Sequence, residues 1–273
     1  MPIMNVLLTV LAGATTWSNS SSKSSGTERI KPMSRLKRLV LLLKTHQMGL
    51  ILKVLRQKAY SSSNFFCLRR DLTQSFEAPT AKISLTVRPI QKSEAKNLFD
   101  ATAPGLSAAE VIDRTGRMEL FQTAIPLCYV AIEQNGDPCY AQWLMSPVDN
   151  ERIQKYFRGT FPVLAPDEAL LEGAFTPERH RGKGIMPRAM ALIAEGARNL
   201  GARYVITFVA EENIPSLKGC ERAGFVPYML RKTKWRWLRP RVTFLPLPQR
   251  QPCSRQGEGV SPNAGRYGST QAK

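Results

Sequence analysis

The chain has 273 residues, 43% of them hydrophobic, which is enough to bury one core of ordinary size and leave appendages. Its five cysteines form no C-x-x-C pair and its two histidines, His46 and His180, stand far apart, so the composition argues against a disulfide framework or a metal site and points to a reducing cytoplasm. The formal charge of +18 sits in the flanks, with +10 on residues 1–75, +9 on residues 226–273 and −1 on residues 76–225, so the chemistry of the middle does not depend on tracking a nucleic acid.

Residues 1–32 hold a short apolar stretch with no basic residue ahead of it, a poor secretory signal, followed by a Ser-rich run that reads as disordered. Residues 33–75 read as a basic amphipathic helical extension. In "MSRLKRLVLLLKTHQMGLILKVLRQKAY" Leu36, Val40, Leu43, Ile51 and Val54 share a broad face among many Lys and Arg. The apolar run Leu39 to Leu43 is too short to span a bilayer. Two expectations follow for this segment: packing on the domain, or attachment to an anionic membrane surface, which would make a cytoplasmic protein peripheral to the membrane.

Residues 76–245 alternate between strand and helix patterns. "ISLTVRPI" reads as a strand, with helices near Ser93–Asp100 and Ser107–Leu120. "LCYVAIEQ" and "CYAQWLM" flank "NGDP", where Asn-Gly tolerates the positive φ of a tight hairpin turn. "ALLEGAF" and "RYVITFV" supply two further strands, and one or two more are expected after Gly224. The fold class expected is α/β (α+β), a mixed sheet flanked by helices. The tail, residues 246–273, is rich in Gln, Gly, Ser and Pro and reads as disordered.

Between the last two of those strands lies "TPERHRGKGIMPRAMALIAEGARNLG". Met186, Ala189, Met190, Ile193, Ala197 and Leu200 recur at three- and four-residue steps, and Pro187 is tolerated only in a first turn, so a helix starts near Gly184. Gly201 then stops it and a strand begins at Tyr204. The exposed backbone N–H groups at such a helix start favour an anion, and glycines let a phosphate approach them. A Walker loop would need Gly at 177 and Ser or Thr at 184, and a dinucleotide fingerprint would need Gly at 187, but Pro177, Gly184 and Pro187 stand there.

The loop resembles the acyl-CoA loop of the GNAT superfamily of N-acetyltransferases, Arg/Gln-x-x-Gly-x-Gly/Ala between a strand and a helix. Arg179, Gly182 and Gly184 satisfy the pattern literally, whereas "RGKGI" fits the family's usual wording with Arg181 and Gly184 as the key residues, the register preferred here, and puts Met186 where Gly or Ala is usual. "ENIPSLKGCERAGF" resembles the family's later Asn-containing helix, with Asn213, Ser216, Gly224 and Phe225 in matching places. The resemblance covers about residues 83–237.

It implies an acyl-CoA-dependent N-acyltransferase that moves an acyl group, most simply from acetyl-CoA, directly onto an acceptor amine without a metal. The implied cofactor-binding residues are Gly173, Ala174, Phe175, Arg179, Arg181, Gly182, Lys183, Gly184, Ile185, Asn213 and Ser216, with pantetheine at an opened strand edge formed by "LLEGAF" and "YVITFV". An acceptor ammonium must lose a proton, and Glu172 is the candidate base, its alternative being an edge-strand carboxylate facing solvent; Glu211 and Glu212 rank below it. The family's thiolate-protonating Tyr falls on Cys220, read as a buried structural thiol, so Tyr228 or water is the candidate acid. Readings from other classes are an aminoacyl-tRNA-dependent transferase of similar fold and a noncatalytic nucleic-acid or membrane adaptor acting through the flanks. The acceptor is not assigned by the resemblance.

Overall fold

The structure is a computed structural model and describes residues 60–248 apart from 124, 126 and 238. Eight strands form one mixed sheet: β1 (Tyr60–Asp71), β2 (Leu85–Pro89), β3 (Cys128–Glu133), β4 (Pro138–Met145), β5 (Glu168–Phe175), β6 (Tyr204–Ala210), β7 (Val226–Arg236) and β8 (Arg239–Pro246). Their order is β2-β3-β4-β5-β6-β1-β7-β8, and every neighbouring pair is antiparallel except β5 and β6. The helices are α1 (Lys92–Leu98), α2 (Ala108–Phe121), α3 (Asn150–Phe157), α4 (Ile185–Gly196) and α5 (Ile214–Arg222). This is the helix-flanked mixed sheet expected from the alternation. Among the described residues no helix is long and apolar enough to cross a membrane.

The two faces of the sheet carry separate cores. Ile185, Ala189, Met190 and Ile193 of α4 and Cys220 of α5 pack on Leu68, Leu144, Leu171, Val205 and Val209. On the other face Leu98 of α1, Leu120 of α2 and Ile153 of α3 pack with Cys67, Trp143, Leu170, Ile206 and Phe208. Because strand side chains alternate between faces, a strand buried on both reads as a continuous apolar run, as "ALLEGAF" and "RYVITFV" do. The "NGDP" turn closes with the Glu133 N–H on Asp137 O and the Gly136 N–H on Glu133 O. The mostly polar α3, eight residues long, ends at Arg158, whose φ is 56°.

The reading of residues 33–75 as helical is corrected over residues 60–71, which form β1. That strand lies inside the sheet, pairing Phe65–Asp71 with β6 and Tyr60–Arg69 with β7. Its side chains obey period two: Phe66 and Leu68 join the α4 and α5 core, whereas Cys67 joins the other. Arg70 is buried beneath α4, donating to Ala191 O at 3.1 Å and pairing with Glu195. The sheet domain therefore begins by Tyr60 and not at residue 76. The readings of residues 1–32, 33–59 and 249–273, including the membrane-facing helix, lie outside the described residues.

Candidate active site

The site grows from a fault in the sheet. β5 and β6 pair only from Glu168 with Tyr204 to Leu170 with Ile206, after which the two parallel strands part. On its other side β5 carries an irregularity, where the register passes from Trp143↔Glu172 to Ala141↔Phe175. Gly173 stands at that irregularity with φ 74°, and a Cβ there would lie 2.8 Å from the Trp143 ring and 3.0 Å from Leu120. Glycine alone meets both demands. The parted segment Leu171–Ala174 thus has a backbone edge that β6 does not use.

Glu172 sits on this segment opposite Trp143, in a strand interior to the sheet and not at its edge. Its Oε1 accepts from the Gly173 N–H at 3.0 Å, while its Oε2 is buried without a hydrogen-bond partner. Burial pushes the carboxyl above the usual carboxylate range, against the opposing influence of the Gly173 N–H and the guanidiniums of Arg117 and Arg231. Arg117 reaches the same segment from α2, donating from Nη2 to Ala174 O at 3.2 Å. A desolvated carboxylate with one idle oxygen has a raised proton affinity and an atom free to take the proton.

The loop after β5 turns at Gly182 and Gly184, φ 76° and 75°, and Gly184 is the N-cap of α4. No atom lies within 4 Å of a Cβ built on Gly182, and the first N–H groups of α4, from Ile185 onward, have no preceding helical turn to bond. These open amides at the start of a 12-residue helix fit a phosphate. Arg179 and Arg181 have separate tasks. Arg179 donates to both Asp137 oxygens, at 3.1 and 3.0 Å, whereas Arg181 donates from Nε to Thr176 O and keeps about half its side chain exposed beside the loop. His180 is buried against the same hairpin, with Nδ1 2.8 Å from Glu133 Oε1, and Lys183 Nζ is 3.9 Å from that oxygen. Among the described residues no group of three or more His, Cys, Asp or Glu could hold a metal ion.

Of the residues expected at the site, Glu172, Gly173, Ala174 and Phe175 line the parted strand, and Arg181, Gly182, Lys183, Gly184 and Ile185 form the loop that follows it. Asn213 caps α5 and accepts from the Ser216 N–H at 3.3 Å, so both residues have a structural bond in hand. Tyr228, the candidate acid, lies under Arg69, whose guanidinium also covers Tyr204 at the start of β6. Burial also pushes its hydroxyl above the usual range. Cys220 is buried 3.8 Å from Met190 Sδ with its thiol pushed up to about 12, as a structural thiol should be. Glu211 accepts instead from Asn64 Nδ2.

Sequence reasoning missed three contributors. Arg117 and Arg231 read as ordinary helix and flank charges, and nothing local marks them as neighbours of Glu172. The third is the strap from Phe76 to Lys82 that joins β1 to β2. It runs against the loop, with the Lys82 N–H on Lys183 O at 2.8 Å and Arg188 Nη1 on Ala78 O at 3.0 Å.

Residues 106–225 match the model of the acetyltransferase (GNAT) family. A comparison with curated proteins gives no match. Among solved structures, the chain is similar to a candidate phosphinothricin N-acetyltransferase at 25% identity over 51% of this chain and 80% of that one, with a TM-score of 0.37. A GCN5-related N-acetyltransferase from Sphaerobacter thermophilus is 16% identical over 70% of this chain and 58% of that one, TM-score 0.42. One from Kribbella flavida is 13% identical over 73% and 64%, TM-score 0.39. The match spans less than two thirds of the length of these last two proteins.

Proposed function

The chain carries an acetyltransferase domain of the GNAT family over residues 106–225, and from that premise we propose that it moves an acetyl group from acetyl-CoA directly to an acceptor amine, with Glu172 as the base. The observation that carries this reading is the idle, buried Oε2 of Glu172 on a strand that has parted from its parallel neighbour just before an open glycine loop. Acyl-CoA supplies the electrophile, a thioester whose acyl carbon bonds to the amine nitrogen as its C–S bond breaks and the electron pair stays on sulfur.

The chain's own groups bind and manage protons. The unpaired edge of Leu171–Ala174 offers strand-type hydrogen bonds to the amide groups of pantetheine, and the N–H groups of Gly182 to Met186 with Arg181 hold the pyrophosphate. Glu172 Oε2 takes the proton that the acceptor ammonium must lose before its nitrogen can attack. Tyr228 or water returns a proton to the leaving thiolate. No group in this scheme calls for a metal. Thiol release from acetyl-CoA by the full chain, with and without an amine panel, tests the reading; a protein that neither binds acetyl-CoA in titration calorimetry nor releases thiol sinks it.

A further inference from the structure

Glu172 and Arg231 are opposite charges with idle polar atoms on one face of the sheet, and Arg117 Nε, beside the same segment of β5, is a third such atom. Arg231, on β7, is 3% exposed and pairs with Phe65, which in turn pairs with Ala210 at the last residue of β6. Its side chain lies on the same sheet face as Glu172. The guanidinium is 4.0 Å from the Phe65 ring and 5.1 Å from those of Phe161 and Phe208, so aromatic rings occupy its surroundings and its in-plane donors carry its polar contacts. Nη1 donates to Thr160 O at 2.9 Å, whereas Nε is buried without a partner, as is the Thr233 hydroxyl two residues along the strand.

Glu172 and Arg231 feel one another. Burial brings the guanidinium down to about 10 against the opposing pull of Glu172, and Arg231 in turn favours the ionised carboxylate. Yet no ion pair among those of the described residues joins them. An unpaired buried donor and an unpaired buried acceptor each carry a desolvation cost. A ligand bearing both an ammonium and a carboxylate would supply both complements.

We infer that the acceptor is an amine bearing its own carboxylate, of the free amino-acid class, with its amine at Glu172 Oε2 and its carboxylate on Arg231 Nε. This rests on the acyltransferase reading above. A plain amine would bring a second positive charge to the site and leave Arg231 unpaired; a carboxamide would lose the charge-assisted bond; a protein N-terminus has no α-carboxylate beside its amine.

The test uses the full chain, acetyl-CoA and a thiol-release assay on the twenty free amino acids, their carboxamides and their decarboxylated amines. At least one free amino acid should exceed its carboxamide and its amine by about tenfold or more in kcat/KM. Arg231→Lys should raise KM for that amino acid and shrink the preference while KM for acetyl-CoA holds. The series with the unaltered protein decides the matter even if the variant fails to fold. Equal or better turnover of carboxamides or amines, or no amino acid turned over by protein that binds acetyl-CoA, overturns the acceptor class and spares the acyltransferase reading; absence of acetyl-CoA binding overturns both.

Discussion

Arg179 donates from Nη2 to both carboxylate oxygens of Asp137, and the pair fastens the glycine loop after β5 to the turn of the β3–β4 hairpin. His180 and Lys183 reach the same hairpin at Glu133, so three basic positions of the loop anchor one side of it and leave Arg181 to the other. An exposed ion pair contributes only about 0.2–1 kcal/mol, so its role is positional.

Asp137→Ala should therefore lower stability by less than about 1 kcal/mol while raising KM for acetyl-CoA with little change in kcat. Denaturant unfolding and steady-state kinetics measure the two sides. An unchanged KM would mean that the hairpin does not position the loop.

Arg181→Ala should weaken acetyl-CoA binding by about 10- to 150-fold, the equivalent of a charged hydrogen bond of about 1.5–3 kcal/mol, without lowering Tm. Gly184→Val differs in kind. Its left-handed φ of 75° and the Thr80 carbonyl, 3.4 Å from a Cβ built there, add backbone strain of about 1–2 kcal/mol, so it should lose both binding and Tm. Calorimetric titration alongside thermal unfolding separates the two variants, and affinity unchanged in both would remove the loop from the cofactor site.

Glu172→Gln should reduce kcat and remove the acid limb of the pH–rate profile, with acetyl-CoA affinity kept. Stability should move the other way. Because the folded carboxyl titrates above its ordinary value of 4.5, the folded state holds the proton more tightly than the unfolded chain, and stability is lost as pH rises from 4.5 through the raised folded value. The Gln variant, which has no charge to desolvate, should unfold at a Tm equal to or above that of the unaltered protein at pH 8, and the gap should close at pH 4. A lower Tm for the variant at pH 8 would contradict the desolvated carboxylate.

A chain beginning at residue 76 should lack cooperative unfolding, because it would remove a strand that sits between β6 and β7, together with Leu68 and Leu72 from one core and Cys67 from the other. Starting at residue 59 should restore a cooperative transition. Leu68→Ala in the full chain should cost about 2–5 kcal/mol. Circular dichroism melts compare all three, and cooperative folding of the shorter chain would show that β1 is dispensable.

Features set by neighbours in the chain are legible in the sequence alone. The Asn135–Gly136 turn, the first turn of α4 around Pro187, the glycine stop at Gly201 and the apolar runs of β5 and β6 each depend on a few consecutive side chains and on backbone sterics. Tertiary structure decided what depends on distant partners. β1 pairs with strands that begin more than a hundred residues later, and its "SSSN" start and "LRRD" end look like loop and flank until β6 and β7 satisfy its backbone and α4 covers Arg70. The surroundings of Tyr228 escape a local reading for the same reason, since they depend on β7 pairing with β1. Glu172 and Arg231 lie 59 positions apart in sequence, and only the strand order β5-β6-β1-β7 brings the carboxylate and the guanidinium onto one desolvated face, where burial makes their unsatisfied atoms costly.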